Sequence, residues 1–176
     1  LRFTAGGSYR LEASYQIPGY TQQWSKEFSI AFPNDLMVRQ IRSPLSIPRK
    51  YPRGVEMPVS AQIQNVGLNN VTDALVIASI RHLATNSEVY RDTVVWSGNL
   101  ATGEIATVDF ANYSTLNVAT YAITVCTELL SAVDQQTAND CQPTSGNYIF
   151  ETKYNEEVGA QAIDVPGRQR PRPSLR

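Results

Sequence analysis

Residues 116–126 read LNVATYAITVC, and this stretch decides the class of fold. From position 121 onward the side chains alternate, so that Tyr121, Ile123 and Val125 point to one side and the residues between them to the other. Alternation with a period of two over six residues is typical of a β-strand with one buried face. The stretch therefore predicts a core strand, and the rest of the chain can be placed relative to it.

The residues just before this strand predict how it meets a second sheet. Leu116 is followed five residues later by Tyr121, a spacing typical of the tyrosine corner in immunoglobulin-like and fibronectin-type β-sandwiches. In that motif the tyrosine hydroxyl reaches back to the backbone near the preceding corner and ties the two sheets together. We therefore predict that Leu116 and Tyr121 form a tyrosine corner.

The composition fits a globular β domain with additional segments. The chain has 176 residues, 42% of them hydrophobic, and its nine Tyr favour strands over helices. The formal net charge is −1, so no overall field draws the chain to nucleic acid or to a membrane surface. The apolar runs fall short of the roughly 18 residues that a membrane span requires. These features favour neither a nucleic-acid partner nor a membrane span.

Turn signals divide the middle of the chain into about seven short strands, which is typical of a sandwich. The expected strands cover residues 36–42, 55–66, 74–82, 89–96, 105–110, 118–129 and 147–154. Ser97-Gly98-Asn99 is expected to close the fourth of them. Two further strands, around residues 9–15 and 24–32, form a hairpin that must pack on something, because an isolated hairpin is marginal in water. We predict an all-β, immunoglobulin-like or fibronectin-type sandwich preceded by this hairpin.

The two ends of the chain resemble each other in sequence. Residues 9–15 align with residues 121–127 at an offset of 112. Residues 28–44 align with residues 150–166 at an offset of 122, because the second copy has ten more residues in the intervening loop. The second alignment matches Phe with Phe at its start and keeps the trailing I-x-x-P. This pattern predicts tandem sandwich repeats of about 120 residues.

The repeat divides the chain into three parts. Residues 1–33 are the last two strands of a preceding repeat, and residues 36–154 are a complete sandwich. Residues 155–176 are a linker and the start of a next unit, or an extended basic tail that serves as an interaction peptide. This division remains an expectation from the sequence.

Four motifs in a fixed order carry a resemblance to a known family. They are residues 63–67 (IQNVG), 71–74 (VTDA), 100–104 (LATGE) and 121–125 (YAITV). In this order they are similar to those of CARDB modules (cell-adhesion-related domain in bacteria). The resemblance covers residues 36–154 and implies a noncatalytic, extracellular or cell-surface module of a large repetitive bacterial protein. It transfers no site residues, and the long loop at 131–146 with its cysteine pair departs from the pattern.

Cys126 and Cys141 are the only cysteines. A metal or redox pair is one interpretation, but two cysteines with fourteen residues between them and no nearby His make a poor zinc site. The other interpretation is a disulfide that closes the loop between two strands. Closing a loop of about 15 residues stabilises by roughly 3 kcal/mol in the chain-entropy model and places the protein outside the cytosol. We predict a Cys126–Cys141 disulfide.

The sequence offers no convincing catalytic constellation. His82 is the only histidine, so a hydrolytic triad would have to use it, yet it ends a strand without a nucleophile motif nearby. Glu156 and Glu157 are adjacent at a strand end and would point apart, so they do not form the paired acids of a glycosidase. We therefore predict no enzyme activity, no catalytic residue and no cofactor.

Two binding interpretations stay open beside structural ones. Asp134, Asn139 and Asp140 offer oxygen ligands for calcium, or they belong to a solvated polar loop. Several aromatic residues form either a sugar-binding platform or core and domain-junction anchors. These residues are Tyr20, Trp24, Tyr90, Trp96 and Tyr113.

The sequence favours a noncatalytic structural or adhesion module that assembles head to tail in a fibre or array. Its partners would be neighbouring copies or repeats, with surface polysaccharide as a further candidate. The candidate inter-unit contacts are Tyr9, Leu11, Phe28, Ile30, Val158 and Ile163. The alternative is an accessory polysaccharide-binding sandwich of a larger secreted hydrolase. Exposed, coplanar aromatic side chains would favour that alternative.

Overall fold

The structure, a computed structural model, describes residues 6–154, and the fold it shows is all-β. The strands are β1 (Gly7–Ile17), β2 (Tyr20–Ile30), β3 (Leu36–Ser43), β4 (Lys50–Pro52), β5 (Met57–Asn65), β6 (Val71–His82), β7 (Ser87–Leu100), β8 (Ile105–Tyr113), β9 (Thr120–Leu129), β10 (Cys141–Gln142) and β11 (Tyr148–Lys153). A single 3₁₀ turn, Thr137–Asn139, precedes β10.

Two facing sheets form the sandwich predicted for residues 36–154. One sheet has the strand order β3-β5-β8, and the other has β4-β11-β9-β6-β7, with β10 paired to β9. Neighbouring strands are antiparallel except β4 and β11, which are parallel. Seven long strands and two short ones build the sandwich, so the predicted fold class is confirmed. The hairpin β1–β2 forms a separate two-stranded sheet.

The core lies between the two sheets and follows the alternation in the sequence. On β9, Tyr121, Ile123 and Val125 are buried, as the opening stretch predicts. On β6 the same spacing buries Val76 and Ile80. Each fully buried apolar side chain of this size contributes roughly 1.5–3 kcal/mol. Period-two burial on both sheets is therefore the main source of the sandwich's stability.

The structure corrects one predicted strand end. We expected Ser97-Gly98-Asn99 to close the strand after Trp96, but β7 continues to Leu100. The partner strand β6 also continues, and a register shift between Val71 and Asp73 accommodates the extra length. A side chain at Gly98 would come within 2.8 Å of the Trp96 indole, so glycine lets the strand pass this ring. The short strands β4 and β10 were also missed, because Pro-rich and polar loops give no alternation.

Turn chemistry after β5 brings one end of the sandwich together. The buried Asn65 amide donates to the carbonyls of Asn69 and Leu100 at 2.9 and 2.8 Å, and its oxygen accepts from the Gly67 N–H at 2.9 Å. The Gly67 N–H also donates to the Asp35 carbonyl at 3.0 Å, and a side chain there would collide with that backbone. The N-x-G motif thus fixes the loop against the start of β3.

The chain enters and leaves the sandwich at opposite ends. The upstream pole, where the chain arrives from the hairpin, comprises residues 33–35, 66–70, 101–104 and 130–140. The downstream pole, where β11 ends, comprises residues 44–56, 83–86, 114–119 and 153–154. Backbone hydrogen bonds join the loops within each pole, for example Gln135 to Asn34 upstream and Gly54 to Thr115 downstream.

Candidate interface on the hairpin

The hairpin β1–β2 has one apolar and one polar face. In antiparallel pairing, residues opposite each other lie on the same face. The polar face carries Ser8, Arg10, Glu12, Ser14, Gln16, Thr21, Gln23, Ser25, Glu27 and Ser29. The other face is apolar apart from Gln22 and Lys26, and it carries Tyr9, Leu11, Ala13, Tyr15, Ile17, Tyr20, Trp24, Phe28 and Ile30. This contrast is that of a sheet with one face built for a core.

Much of the apolar face is exposed. Tyr15 is 62% exposed, Trp24 is 53% and Leu11 is 46%. Monomeric soluble proteins rarely leave a contiguous patch of this kind uncovered, because apolar surface in water is costly. The face is therefore a candidate interface. Of the predicted inter-unit contacts, Tyr9, Leu11, Phe28 and Ile30 lie on it, whereas Val158 and Ile163 lie outside the described residues.

The hairpin reproduces a pair of strands inside the sandwich. Tyr9 lies opposite Phe28, and their rings stack at 5.9 Å with an interplanar angle of 21°. Tyr121 lies opposite Phe150, and those rings stack at 5.4 Å with the same interplanar angle of 21°. The sequence alignment matches these residues separately, Tyr with Tyr and Phe with Phe. The structure therefore gives both pairs the same cross-strand partnership.

The two pairs differ in their surroundings. In the sandwich the face that carries Tyr121 and Phe150 is covered by the sheet β3-β5-β8, and both side chains are at most 1% exposed. The matched face of the hairpin has no second sheet among residues 6–154. Leu11 aligns with the fully buried Ile123, yet it is 46% exposed. Within residues 6–154, the hairpin thus has the apolar face of a core strand pair but no facing sheet.

Tyr121 occupies the predicted corner, but its hydroxyl has a different partner. The hydroxyl lies 3.2 Å from Oγ1 of Thr115, a side chain six residues earlier, rather than against the backbone. Leu116 is 76% exposed and so adds little to the packing there. The ring contacts Tyr113 of the facing sheet edge-on at 6.0 Å. Tyr121 therefore links the two sheets chiefly through ring packing.

Cys126 and Cys141 form the predicted disulfide. They lie directly opposite each other on β9 and β10, and the bond closes a loop with a sequence separation of 15. The Thr127 N–H donates to the Asp140 carbonyl at 2.9 Å and extends this pairing by one residue. The bond therefore holds the polar loop against the edge of the sandwich core, and it leaves neither thiol free to bind a metal ion.

The same loop brings three carboxylates to the upstream pole. Asp134 accepts hydrogen bonds from the N–H groups of Leu36 and Gln136, both at 2.8 Å. Asp35, which the sequence reasoning missed, accepts from the Asn139 amide at 2.9 Å. Burial, and then repulsion from Asp134 and Asp35, raise the pKa of Asp140 to about 6. Only the tertiary fold brings Asp35 to a loop about 100 residues away.

The carboxylates of Asp35, Asp134 and Asp140 do not have the arrangement of a metal centre. Within residues 6–154, no group of three or more His, Cys, Asp or Glu side chains is arranged to hold a metal ion. In the same part of the chain, Oδ1 of Asn139 and Oδ1 of Asp140 are buried without a hydrogen-bond partner. These orphaned oxygens, together with the raised pKa of Asp140, make the loop a locally costly arrangement.

The remaining candidate residues lie in separate places. Tyr20 and Trp24 lie on the hairpin, whereas Tyr113 is buried in the sandwich core. The Tyr90 hydroxyl donates to the Ala111 carbonyl at 2.7 Å. Tyr20 and Trp24 share the apolar face of the hairpin and are each 53% exposed, whereas Tyr90, Trp96 and Tyr113 pack in or against the sandwich core, so the five rings do not form one sugar-binding platform. His82 ends β6, and its Nδ1 lies 2.9 Å from the Thr85 hydroxyl in an exposed turn.

Comparison with known proteins bears on the fold. No protein-family model and no curated protein matches the sequence. Among solved structures, the CARDB domain of a Pyrococcus furiosus protein, crystallised in complex with di-metal ions, aligns with a TM-score of 0.50 and 17% identity. The alignment covers 70% of this chain and 93% of that domain. The chain has a CARDB-like fold. The resemblance drawn from the four sequence motifs is thereby confirmed at the level of the fold.

A second solved structure gives a weaker match. It is a domain of a Methanosarcina acetivorans protein described as a cell surface protein, with 20% identity and a TM-score of 0.43. That alignment covers 70% of this chain and 96% of the domain, but the score is too low to add to the conclusion on fold. Separately, no helix among residues 6–154 is long and apolar enough to cross a membrane.

Proposed function

We propose that this chain belongs to a repetitive secreted or cell-surface protein, in which noncatalytic β-sandwich modules join head to tail in an array or fibre with a structural or adhesive role. In this proposal, β1 and β2 are the closing strands of a preceding module. Residues 36–154 are a complete module, and residues 155–176 lead into the next one. The partners are neighbouring modules or copies of the same protein.

One observation carries the proposal: the hairpin repeats the pairing of β9 with β11. Two stretches that align in sequence both form a cross-strand Tyr–Phe stack with an interplanar angle of 21°. In the sandwich this face is buried under a second sheet, so the same face on the hairpin calls for a sheet of the same kind. A preceding module supplies it, either from the same chain or from a neighbouring subunit by strand addition.

Three further features support the proposal. The chain arrives and leaves at opposite poles, which suits a linear array. The disulfide suits a location outside the cytosol. The CARDB-like fold suits a cell-surface module, because the family's name denotes cell adhesion. Of the five candidate aromatic residues, Tyr20 and Trp24 share an exposed face, and this proposal assigns that face to contact between units rather than to polysaccharide binding.

The experiment tests whether the apolar face of the hairpin seeks a partner. The purified 176-residue chain is followed by light scattering at rising concentration, beside the double variant Leu11→Ser, Trp24→Ser. We expect the parent chain to associate and the variant to do so at least tenfold more weakly, because its apolar face is interrupted. The double variant Ser14→Ala, Gln23→Ala on the opposite face is the matched control and should behave as the parent.

Two outcomes would contradict the proposal. One is a parent chain that stays a stable monomer at high concentration, since the hairpin would then have found its cover within the chain. The other is association that the polar-face control weakens as much as the apolar-face variant does. Circular dichroism of all three proteins shows whether the sandwich itself remains folded.

A further inference from the structure

The two poles of the sandwich carry opposite charge. In the upstream pole, residues 33–35, 66–70, 101–104 and 130–140 include no Lys or Arg. Their acidic residues are Asp35, Glu104, Asp134 and Asp140, and Asp73 and Glu128 lie in strands at the same end. Asp134, Asp35 and Asp140 are close enough to repel one another, since the first two raise the pKa of the third. Asp35 itself is buried, whereas Glu104 and Glu128 are exposed and Asp73, Asp134 and Asp140 are partly exposed, and these five residues give this end of the domain a negative surface.

The downstream pole presents a positive surface. Its basic residues are Arg49, Lys50, Arg53 and Lys153, against the single acidic residue Glu56. Strands at the same end add the basic residues Arg42 and Arg81 and the acidic residues Glu88 and Glu151. Within residues 6–154, Lys50 is the one of these basic residues that has a carboxylate within ion-pair distance, the Glu151 group at 3.1 Å. Arg49 and Arg53 instead lie over the rings of Tyr51 and Tyr154, at 5.9 and 4.6 Å from the ring centroids. Their charges are available to a partner.

Both poles also expose apolar side chains among these charges. Leu116 is 76% exposed and Ile47 is 50% exposed at the downstream pole. Val133 is 80% exposed and Leu68 is 58% exposed at the upstream pole. Specific interfaces commonly combine an apolar centre with charges that select the partner and its orientation. The two poles have the components of one heterologous interface, in which each contributes a different surface.

From this polarity we infer that the basic downstream pole of one copy docks on the acidic upstream pole of the next, and that this contact sets the direction of the array. The inference rests on the proposed function, because it names the surfaces through which successive modules meet. The occupant of each pole is the opposite pole of a second copy of this chain. In the repeat alignment, Glu157 corresponds to Asp35 of the upstream pole, so the next module would begin with an acidic residue at the same place. Like poles repel each other, so a head-to-head arrangement is disfavoured.

The test uses charge-reversed poles in a chain whose hairpin no longer associates. Every arm carries Leu11→Ser and Trp24→Ser, so that the apolar face does not contribute. The downstream variant adds Arg49→Glu and Arg53→Glu, and the upstream variant adds Glu128→Lys and Val133→Lys at exposed positions. A control adds Arg39→Glu and Arg91→Glu, which change the net charge as much as the downstream variant does but lie within strands, between the poles.

Sedimentation velocity at high protein concentration and low salt measures the association of each arm. We expect the unreversed arm and the control to associate, and each pole variant to associate roughly tenfold more weakly, because its altered pole complements the opposite pole less well. Mixing the two pole variants should restore association, since the unaltered upstream pole of one variant then meets the unaltered downstream pole of the other. High salt should weaken the contact, because it screens exposed charges.

Several results would overturn the inference. One is that the unreversed arm does not associate, and another is that the pole variants associate as well as the control does. The others are that the mixture of the two pole variants does not associate and that high salt leaves the association unchanged. None of them touches the hairpin experiment, in which the apolar face is intact and salt strengthens association rather than weakening it. Failure of the docking inference is therefore distinguishable from failure of the proposed function.

Discussion

Single residues decide how the two sheets meet and how costly the polar loop is. Tyr121 is 1% exposed and contacts rings on three sides, with His82 at 5.4 Å, Phe150 at 5.4 Å and Tyr113 at 6.0 Å. Its hydroxyl needs a partner in this dry surrounding and finds one in Thr115. The ring contributes most of the stabilisation, and the hydroxyl adds a single hydrogen bond.

Removing the Tyr121 hydroxyl tests how much of the stabilisation comes from the hydroxyl and how much from the ring. Tyr121→Phe should lower the free energy of unfolding by about 1 kcal/mol, because it deletes one partly buried hydrogen bond and keeps the ring. Urea denaturation of the variant and the parent chain measures the difference. Tyr15→Phe, at a ring that is 62% exposed on the hairpin, is the control and should change nothing. Equal midpoints for Tyr121→Phe and the parent would show that the hydroxyl does not contribute.

The raised pKa of Asp140 predicts how stability depends on pH. Its pKa is about 6 in the folded chain against an ordinary 3.8, so the native state holds this proton over a range in which the unfolded chain has lost it. Stability from this group is therefore fully present below pH 3.8 and is lost as the pH rises from there towards 6. Burial, followed by repulsion from Asp134 and Asp35, is the physical cause.

Asp140→Asn should remove this dependence, because an amide does not ionise. We expect the variant to be more stable than the parent above pH 6 and the two to converge below pH 3.8. Urea unfolding across this pH range measures the difference between them. Asp109→Asn, at an exposed position on β8, is the control. A difference between parent and Asp140→Asn that is the same at every pH would contradict the prediction.

At the scale of the strand, the polar loop depends on one covalent bond. β10 has only two residues, Cys141 and Gln142, and by itself offers little pairing energy to β9. The disulfide fixes it at the edge of the sheet, and that in turn positions Asp140 and Asn139 against Asp35. The bond therefore organises the whole acidic end of the molecule.

Replacing both cysteines by serine should lower the free energy of unfolding by roughly 3 kcal/mol, because the unfolded chain regains the freedom of a loop with a sequence separation of 15. Chemical denaturation of oxidised parent, reduced parent and the double variant measures the loss. Intact mass after alkylation without reductant provides the chemical control, and it should show no modified thiol. Alkylated thiols in protein that has never met a reductant would contradict the disulfide.

The hairpin and the sandwich show how the same strand pattern behaves with and without a partner sheet. Period-two alternation places Leu11 and Ile123 on the corresponding faces of two matched strands. Ile123 is fully buried, whereas Leu11 is 46% exposed, because within the described residues only the strand that carries Ile123 has a sheet opposite it. Local sequence determines which face of a strand is apolar, and the presence of a facing sheet determines whether that face is buried.

At the scale of the whole molecule, connectivity and charge point in the same direction. The chain enters through an acidic pole and leaves through a basic one, so every module has a polarity along its length. If the proposed hairpin contact and the proposed pole contact form within one array, each raises the effective concentration of the other.

By itself the sequence determined the seven long strands of the sandwich, their buried faces, the disulfide and the CARDB-like fold, because alternation, turn residues and cysteine spacing are local or short-range signals. The repeat alignment likewise matches Tyr9 with Tyr121 from the sequence alone. Only the tertiary structure decided that the Tyr121 hydroxyl pairs with the Thr115 hydroxyl and that Asp35 joins the carboxylates of a loop about 100 residues later. The tertiary structure also places most acidic loop residues at the upstream pole and most basic loop residues at the downstream pole. These features depend on strands distant in the chain becoming neighbours, and sheet pairing, unlike alternation, leaves no trace within a single strand.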